Sequence, residues 1–358
     1  MRGDLRSLWP VAVLIVLLAA PRLSIGLPVI FDGKINSPGN LQLLAVGFAL
    51  GIAALSYNLL FGYTGMVSFG HALFFGVGVY LPTIALRRWE WPLVAAVAFA
   101  LVGGLILGAA VGALSLRTHG VYFAMVTLAF AEAGAVIVGK NVGDLTGGEE
   151  GLSLPFRQLP DWMVGVRNTD HLYWLTLGAL IVVYLLAWRL ITSPLGHVWQ
   201  GIRENEQRVE MLGLRPYTFK LIAFVVSAVL ATVGGAVYLF LTSGANPRAV
   251  SAELTITLLL MVIIGGSGSL WGPVAGAVLY HYLNVRLTDW AASETVADLP
   301  GVLSEPLRDP LFIFGLVFIF LVIFFPRGLA GAFAGRLAPF QRMLRGTRPG
   351  LTPRSESE

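Results

Sequence analysis

Long stretches without a charged residue dominate the chain. From Leu41 to Leu86 no Asp, Glu, Lys or Arg occurs in 46 residues, which as a helix would extend roughly 69 Å at about 1.5 Å per residue. A hydrocarbon core of about 30 Å accepts such a run only as two passes. Pro92–Leu116 and Leu221–Pro247 are uncharged for 25 and 27 residues, one pass each. Leu254–Val285 is uncharged for 32 residues, but Gly265, Gly266 and Gly268 with Ser267 and Ser269 interrupt it. Such clusters punctuate helices, so two helices meeting at a break are expected. Leu8–Leu27, Gly120–Val138, Leu172–Trp188 and Leu311–Phe325 bring the set to ten spans. The first, with Arg22 near its end and no small-residue cleavage site, reads as a retained span and not a removed leader.

Composition narrows the class. The 358 residues are 56% hydrophobic and only 12% charged, against about 25% charged in soluble chains, and the mean hydropathy is +0.77. A soluble enzyme, a coiled coil and a disordered chain are excluded, and an all-α polytopic transmembrane bundle is expected. The absence of cysteine removes disulfide scaffolds and thiolate metal or redox chemistry. Ten passes put both termini on one side. Segments on that side carry 14 Lys and Arg against 6 Asp and Glu, and the other side 10 against 13. The basic excess orients both termini to the cytoplasm; Arg87 and Arg88 dissent, in an outer turn. Residues 1–331 then form the transmembrane domain and 332–358 a basic cytoplasmic tail, expected to be disordered. The arginines at 327, 336, 342, 345, 348 and 354 suit membrane lipid headgroups and not nucleic acid.

Polar groups at membrane depth are the candidates for function. Gly47/Gly51, Gly104/Gly108/Gly112 and Gly272/Gly276 lie at four-residue spacing, as in helix-packing seams. The run from Phe61 to His71 differs, mixing Tyr63, Thr64, Ser68 and His71 with Gly62, Gly65 and Gly70. It is either a turn between spans or a discontinuous helix exposing backbone to a substrate path. Glu132 is the one acid inside a span. A carboxylate there costs roughly 2.5–3.5 kcal/mol on insertion scales, so it should face protein or water. The small residues at helical spacing from it suit burial in the bundle, and a structural hydrogen bond competes with a transport role. His71 is similarly open between scaffolding and path. Gly134 to Asn141 approaches the phosphate loop G-x-x-x-x-G-K-[ST], but Asn141 stands where the magnesium-holding hydroxyl belongs and no strand precedes it. No H-E-x-x-H and no catalytic dyad is present.

Ser193–Lys220 is the longest interior loop. Within it, Gly201 to Gly213 reads as one short, charged helix ended by glycine. It is either a solvated loop helix or a rigid handle that a soluble motor could grip.

From Gly201 to Tyr238 the sequence GIRENEQRVEMLGLRPYTFKLIAFVVSAVLATVGGAVY resembles the cytoplasmic loop and following span of branched-chain amino acid ABC-transporter permeases of the LivM type. NLLFGYTGMVSFGHALFFGVGVY, YFAMVTLAFAE, LTGGEEGL, LLLMVIIGGSGSLWGPVAGA and FFPRGLAG follow that family's order and extend the resemblance over most of residues 41–331. It implies a subunit that performs no chemistry and binds no cofactor of its own, with ATP and Mg used by partners. Those partners would be a LivH-like permease, two LivG/LivF-like ATPases and a periplasmic or lipid-anchored solute-binding protein, in a prokaryotic cell membrane. Arg203, Glu204, Asn205, Glu206 and Gly213 then fall on the helix that docks on an ATPase, and Tyr63, Gly65, Ser68, His71 and Glu132 are candidates for the substrate path. Two departures stand out. Glu150 replaces the asparagine usual before the glycine of the T-G-G stretch, and Val209-Glu210-Met211 is bulkier than usual. Leucine, isoleucine or valine is the expected solute, with urea or a short amide as the alternative. An ion-coupled secondary transporter and an intramembrane enzyme are the readings from other classes.

Overall fold

A computed structural model describes residues 15–22, 34–163, 168–293, 309–324 and 328–332. The first expected span is therefore covered only at 15–22, and all of the basic tail beyond residue 332 lies outside the described residues.

The uncharged runs become helices close to where hydropathy put them. In chain order they are α1 (Pro38–Asn58), α2 (His71–Arg88), α3 (Leu93–Ser115), α4 (Val121–Gly139), α5 (Thr169–Ile191), the short α6 (Pro194–Glu204) and α7 (Glu206–Met211), α8 (Pro216–Thr242), α9 (Ala252–Gly265), α10 (Trp271–Ala291) and α11 (Pro310–Phe324). Prolines open α1, α6 and α8, where the missing N–H costs nothing. Among the described residues, five helical stretches are long and apolar enough to cross a membrane: Pro38–Thr64, Leu93–Ser115, Val121–Gly139, Thr169–Ile191 and Pro216–Thr242. α9 is apolar but shorter.

α1 and α8 form the centre. The apolar window of α1 is 94% buried within this chain and that of α8 72%, against 28% for both α3 and α4. α8 packs on α2, α1 and α3, while α1 also meets α10 and α5. The glycine spacings are packing seams, as expected. Gly47 and Gly51 admit Val278 and Val274 of α10, and Gly104, Gly108 and Gly112 admit Thr232, Ala228 and Phe224 of α8. Close backbone approaches also join α2 to α8 and α9 to α10: a Cβ on Gly78 would strike the Thr232 carbonyl, one on Gly235 the Phe75 carbonyl, and one on Gly276 the Met261 carbonyl. Backbones this close gain dispersion contacts that lipid cannot supply.

The connections gather at two ends. One end holds residues 65–70, the α3–α4 turn, α6 with α7, and the break between α9 and α10. The other holds the α4–α5 connection, where β1 (Leu152–Ser153) pairs antiparallel with β2 (Gly244–Ala245), Leu152 opposite Ala245. The single helix expected over Gly201–Gly213 is corrected to two. Asn205 adopts an extended backbone (φ −162°, ψ 104°), ends α6, and caps α7 by accepting from the Arg208 N–H at 3.0 Å. Gly213, at φ +81°, does close the segment as expected.

Candidate functional site

A helix that stops inside a bundle leaves backbone groups without partners, and two such stops face each other at one end of this molecule. α1 does not end at Asn58 but continues as a π-helical turn, Leu59–Thr64. Gly65 then takes the left-handed conformation (φ +74°), and residues 65–70 run without regular structure to His71. Residues 65–70 therefore form a turn between spans: α1 starts at the far end, where Gln42 meets Leu241, and α2 returns there, where Arg88 meets Asp144. α2 starts behind a glycine cap that offers no side chain. Hydroxyls of distant helices accept instead: Thr127 of α4 from the Phe69 N–H at 3.1 Å, and Thr255 of α9 from the Ala72 N–H at 2.9 Å. Gly70 lets α4 come this near, since a Cβ there would lie 2.6 Å from the Thr127 carbonyl.

His71 is fully buried and 2.8 Å from Ser56 of α1. The Ser56 hydroxyl spends its hydrogen on the Ala53 carbonyl at 2.7 Å, so it accepts from His71 Nε2–H, which leaves Nδ1 as the bare acceptor. Nδ1 has no hydrogen-bond partner among the described residues, nor does the neighbouring Tyr57 hydroxyl. Ser68 is fully buried, accepting from the Gly70 N–H at 3.3 Å, and Tyr63 is buried.

The second stop separates α9, ending at Gly265, from α10, starting at Trp271. Asn58 holds it. Its Nδ2 donates to the Ser269 carbonyl at 2.8 Å and its Oδ1 accepts from the Gly268 N–H at 3.0 Å. Gly62 allows the approach, since a Cβ there would collide with Asn58 and lie 2.6 Å from the Gly268 nitrogen.

α6 and α7 lie across these stops. Gly196, Trp199 and Ile202 bury one face of α6, Val209 does the same for α7, and the Trp199 indole donates to the Phe219 carbonyl at 2.9 Å. The opposite side is exposed: Glu204, Gln207, Arg208, Glu210 and Gly213, with Met211 and Leu212 82% and 77% accessible. Arg203 is exposed as well, but its Nη1 reaches inward and donates to the Gly62 carbonyl. Glu206 accepts from Lys220 of α8 at 2.5 Å. A cavity of about 540 Å³ opens here, lined by Gly65, Met66, Phe69, Phe123, Arg203 and Lys220 among others.

The expected path residues do not all converge. Tyr63, Gly65, Ser68 and His71 belong to the first helix stop, but Glu132 does not join them. Its expected burial in the bundle is corrected, because the structure exposes it with Met125, Leu128, Ala129 and Val136. α4 is apolar on both faces, and Phe123, Ala124, Thr127 and Ala131 are the ones it buries. The phosphate-loop lookalike is helical through Gly139, so its amides bond within α4 and form no cradle. Asn58, Gly62, Thr127, Thr255 and Gly268 were not singled out as site residues. An Asn at the end of an uncharged run was the available signal for the first; the threonines carried none.

The sequence that builds this geometry matches a known family. A family described as the branched-chain amino acid transport system permease component matches residues 40–325, from the first turn of α1 to just beyond α11. The chain belongs to this family. Its apolar helices and its relatives make it an integral membrane protein. It is 29% identical over 275 residues to the high-affinity branched-chain amino acid transport system permease protein LivM of Salmonella typhimurium, covering 68% of this chain and 62% of that protein. The chain thus spans less than two thirds of that relative. A probable branched-chain amino acid transport permease protein LivM of Methanocaldococcus jannaschii is 26% identical over 312 residues, 78% of this chain and 89% of that one. The permease protein LivH of Salmonella typhimurium is 24% identical over 252 residues, 66% and 80% respectively. No solved structure matches.

Proposed function

We propose that the chain is a LivM-type membrane subunit of an ATP-binding cassette importer that carries leucine, isoleucine or valine into a prokaryotic cell. It has ten spans with both termini cytoplasmic, and pairs with a LivH-like permease, two LivG/LivF-like ATPases and a periplasmic or lipid-anchored solute-binding protein. It binds no cofactor; ATP and Mg belong to the ATPases. The single observation that carries this reading is the α6–α7 segment, braced on one face by Trp199, Ile202 and Val209 and bare on the other. An apolar tip, Met211 and Leu212, ringed by Glu204, Arg208 and Glu210 suits insertion into a groove on a soluble ATPase. The likeness to LivH supports a membrane partner of the same fold. The exposed face of α4 would then line the path between the two subunits, which gives an intramembrane carboxylate such as Glu132 protein and water to face.

Reconstitution of the five-protein complex in proteoliposomes tests it. ATP-driven uptake of labelled leucine is expected, and Glu204→Arg or Met211→Asp should cut solute-stimulated ATP hydrolysis at least about fivefold, the effect of one lost docking contact. Uptake that persists without the ATPases and collapses with an ion gradient would make the chain a secondary transporter. Uptake of urea and not leucine would change the solute and keep the machine.

A further inference from the structure

Arg203 stands on α6, outside the long helices, yet its side chain reaches both helix stops. Its Nη1 donates to the carbonyl of Gly62 in the π-helical turn. Its stem lies over Gly65, where a Cβ would come within 3.2 Å of Cγ, and its Nη1 would be 3.1 Å from a Cβ on Gly268. Two glycines in two segments, Gly65 and Gly268, therefore leave the room that one arginine fills. The last carbonyls of a helix lack donors from their own helix, and Arg203 supplies one. Asn58 already ties the same two stops to each other. The backbone of Gly62 and the loop at Gly268 consequently move together, and α6 is fastened to them through the Gly62 carbonyl.

Resting on the reading of α6–α7 as the ATPase-docking segment, we infer that Arg203 is a positioning residue that transmits displacement of that segment to the two helix stops. It does not contact the ATPase itself. This differs from the outward docking role that its place beside Glu204 suggests. The cavity of about 540 Å³ borders the pin, since Gly65 and Arg203 both line it. A push on α6 is therefore delivered where the residues around Tyr63 and Ser68 meet open space. A local helix cap would sit at Gly62 alone; the nearness of Nη1 to Gly268, 65 residues beyond Arg203, together with the Asn58 bonds to that loop, is what connects the segment to a second element.

Two measurements test the pin. On the full chain in lipid nanodiscs, Arg203→Ala should accelerate hydrogen exchange of the amides at 62–66 and at 266–269 while leaving 141–147 unchanged. Unchanged exchange at either stop overturns the inference, and this arm needs no partner. In the reconstituted complex, Arg203→Ala should keep ATP hydrolysis but lower solute moved per ATP roughly tenfold, within the range of coupling between two sites. Arg203→Lys, which retains a donor of shorter reach, should recover part of that ratio. Uptake and hydrolysis falling in proportion, or neither changing, overturns it. A wild-type complex with no ATP-driven uptake counts against the proposed function, and the exchange arm still decides the pin.

Discussion

The two ends of the bundle solve the same problem in opposite ways. Both must satisfy backbone groups where helices stop. At the end bearing α6 and α7, the partners come from far along the chain: Asn58 binds the loop 210 and 211 residues away, and Arg203 reaches back 141 residues to Gly62. At the other end most partners are local. Asn141 accepts from the Thr146 and Gly147 N–H groups at 2.9 Å, the Thr146 hydroxyl donates to Val138 at 2.7 Å, and Asn141 donates to Asp144 at 2.9 Å. Among the described residues the β1–β2 pair, the Leu154 N–H bond to the Ser243 carbonyl and the Arg88–Asp144 contact at 2.8 Å tie that connection to other segments. A locally closed loop opens by itself, whereas contacts between distant segments open together. The end built from distant contacts is thus the one through which a displacement can spread.

Removing the central clamp should give the largest effect. Asn58→Ala leaves the Gly268 N–H and the Ser269 carbonyl without their partner in a half-buried place, at about 1–2 kcal/mol each. Thermal unfolding in nanodiscs should show a loss of about 2–4 kcal/mol. A loss below about 1 kcal/mol would mean the two ends are alike.

The corresponding change at the other end should be smaller and stay local. Asn141→Ala loses two hydrogen bonds accepted from backbone N–H groups and the one donated to Asp144, which water partly replaces, and forces alanine into the left-handed backbone (φ +50°), for about 1–2 kcal/mol in total. Asn141→Gly should return the backbone share. Faster exchange confined to 141–147 is the expected signature; spread to 266–269 would contradict the contrast.

The smallest effect is a titration. Asp144 is held below the usual carboxylate range, first by the hydrogen bond from Asn141 and then by the hydrogen bond and charge of Arg88. Because its pKa is depressed on folding, the ionised form favours the closed loop above the ordinary carboxylate pKa, and that advantage disappears as pH falls through the depressed value. The side-chain carboxyl ¹³C shift should titrate at an acid-displaced midpoint that rises in Asn141→Ala and in Arg88→Gln. Added salt should raise it only while Arg88 is present, since the pair is exposed and screened. A midpoint at the ordinary aspartate value would show that Asp144 takes no part in the loop.

Much of this was readable in one dimension. The length of uncharged runs is imposed by the bilayer, so the bounds of α3 and α4 followed from counting, whereas α10 runs past its uncharged stretch to Ala291. The Gly-Ser cluster at 265–269 marked its break, and the four-residue glycine spacings marked real seams, because only close backbones use them. The split of the Gly201–Gly213 segment was also written locally, since Asn205 before Glu206 is a cap followed by an acid. What tertiary structure decided concerns direction. α4 is apolar on both faces, so periodicity could not say that Thr127 turns inward and Glu132 outward. Nor could it say that Arg203 leaves its charged neighbours to reach Gly62. Span length and spacing are properties of a segment alone, whereas the group a side chain meets depends on where folding has brought residues far away in the chain.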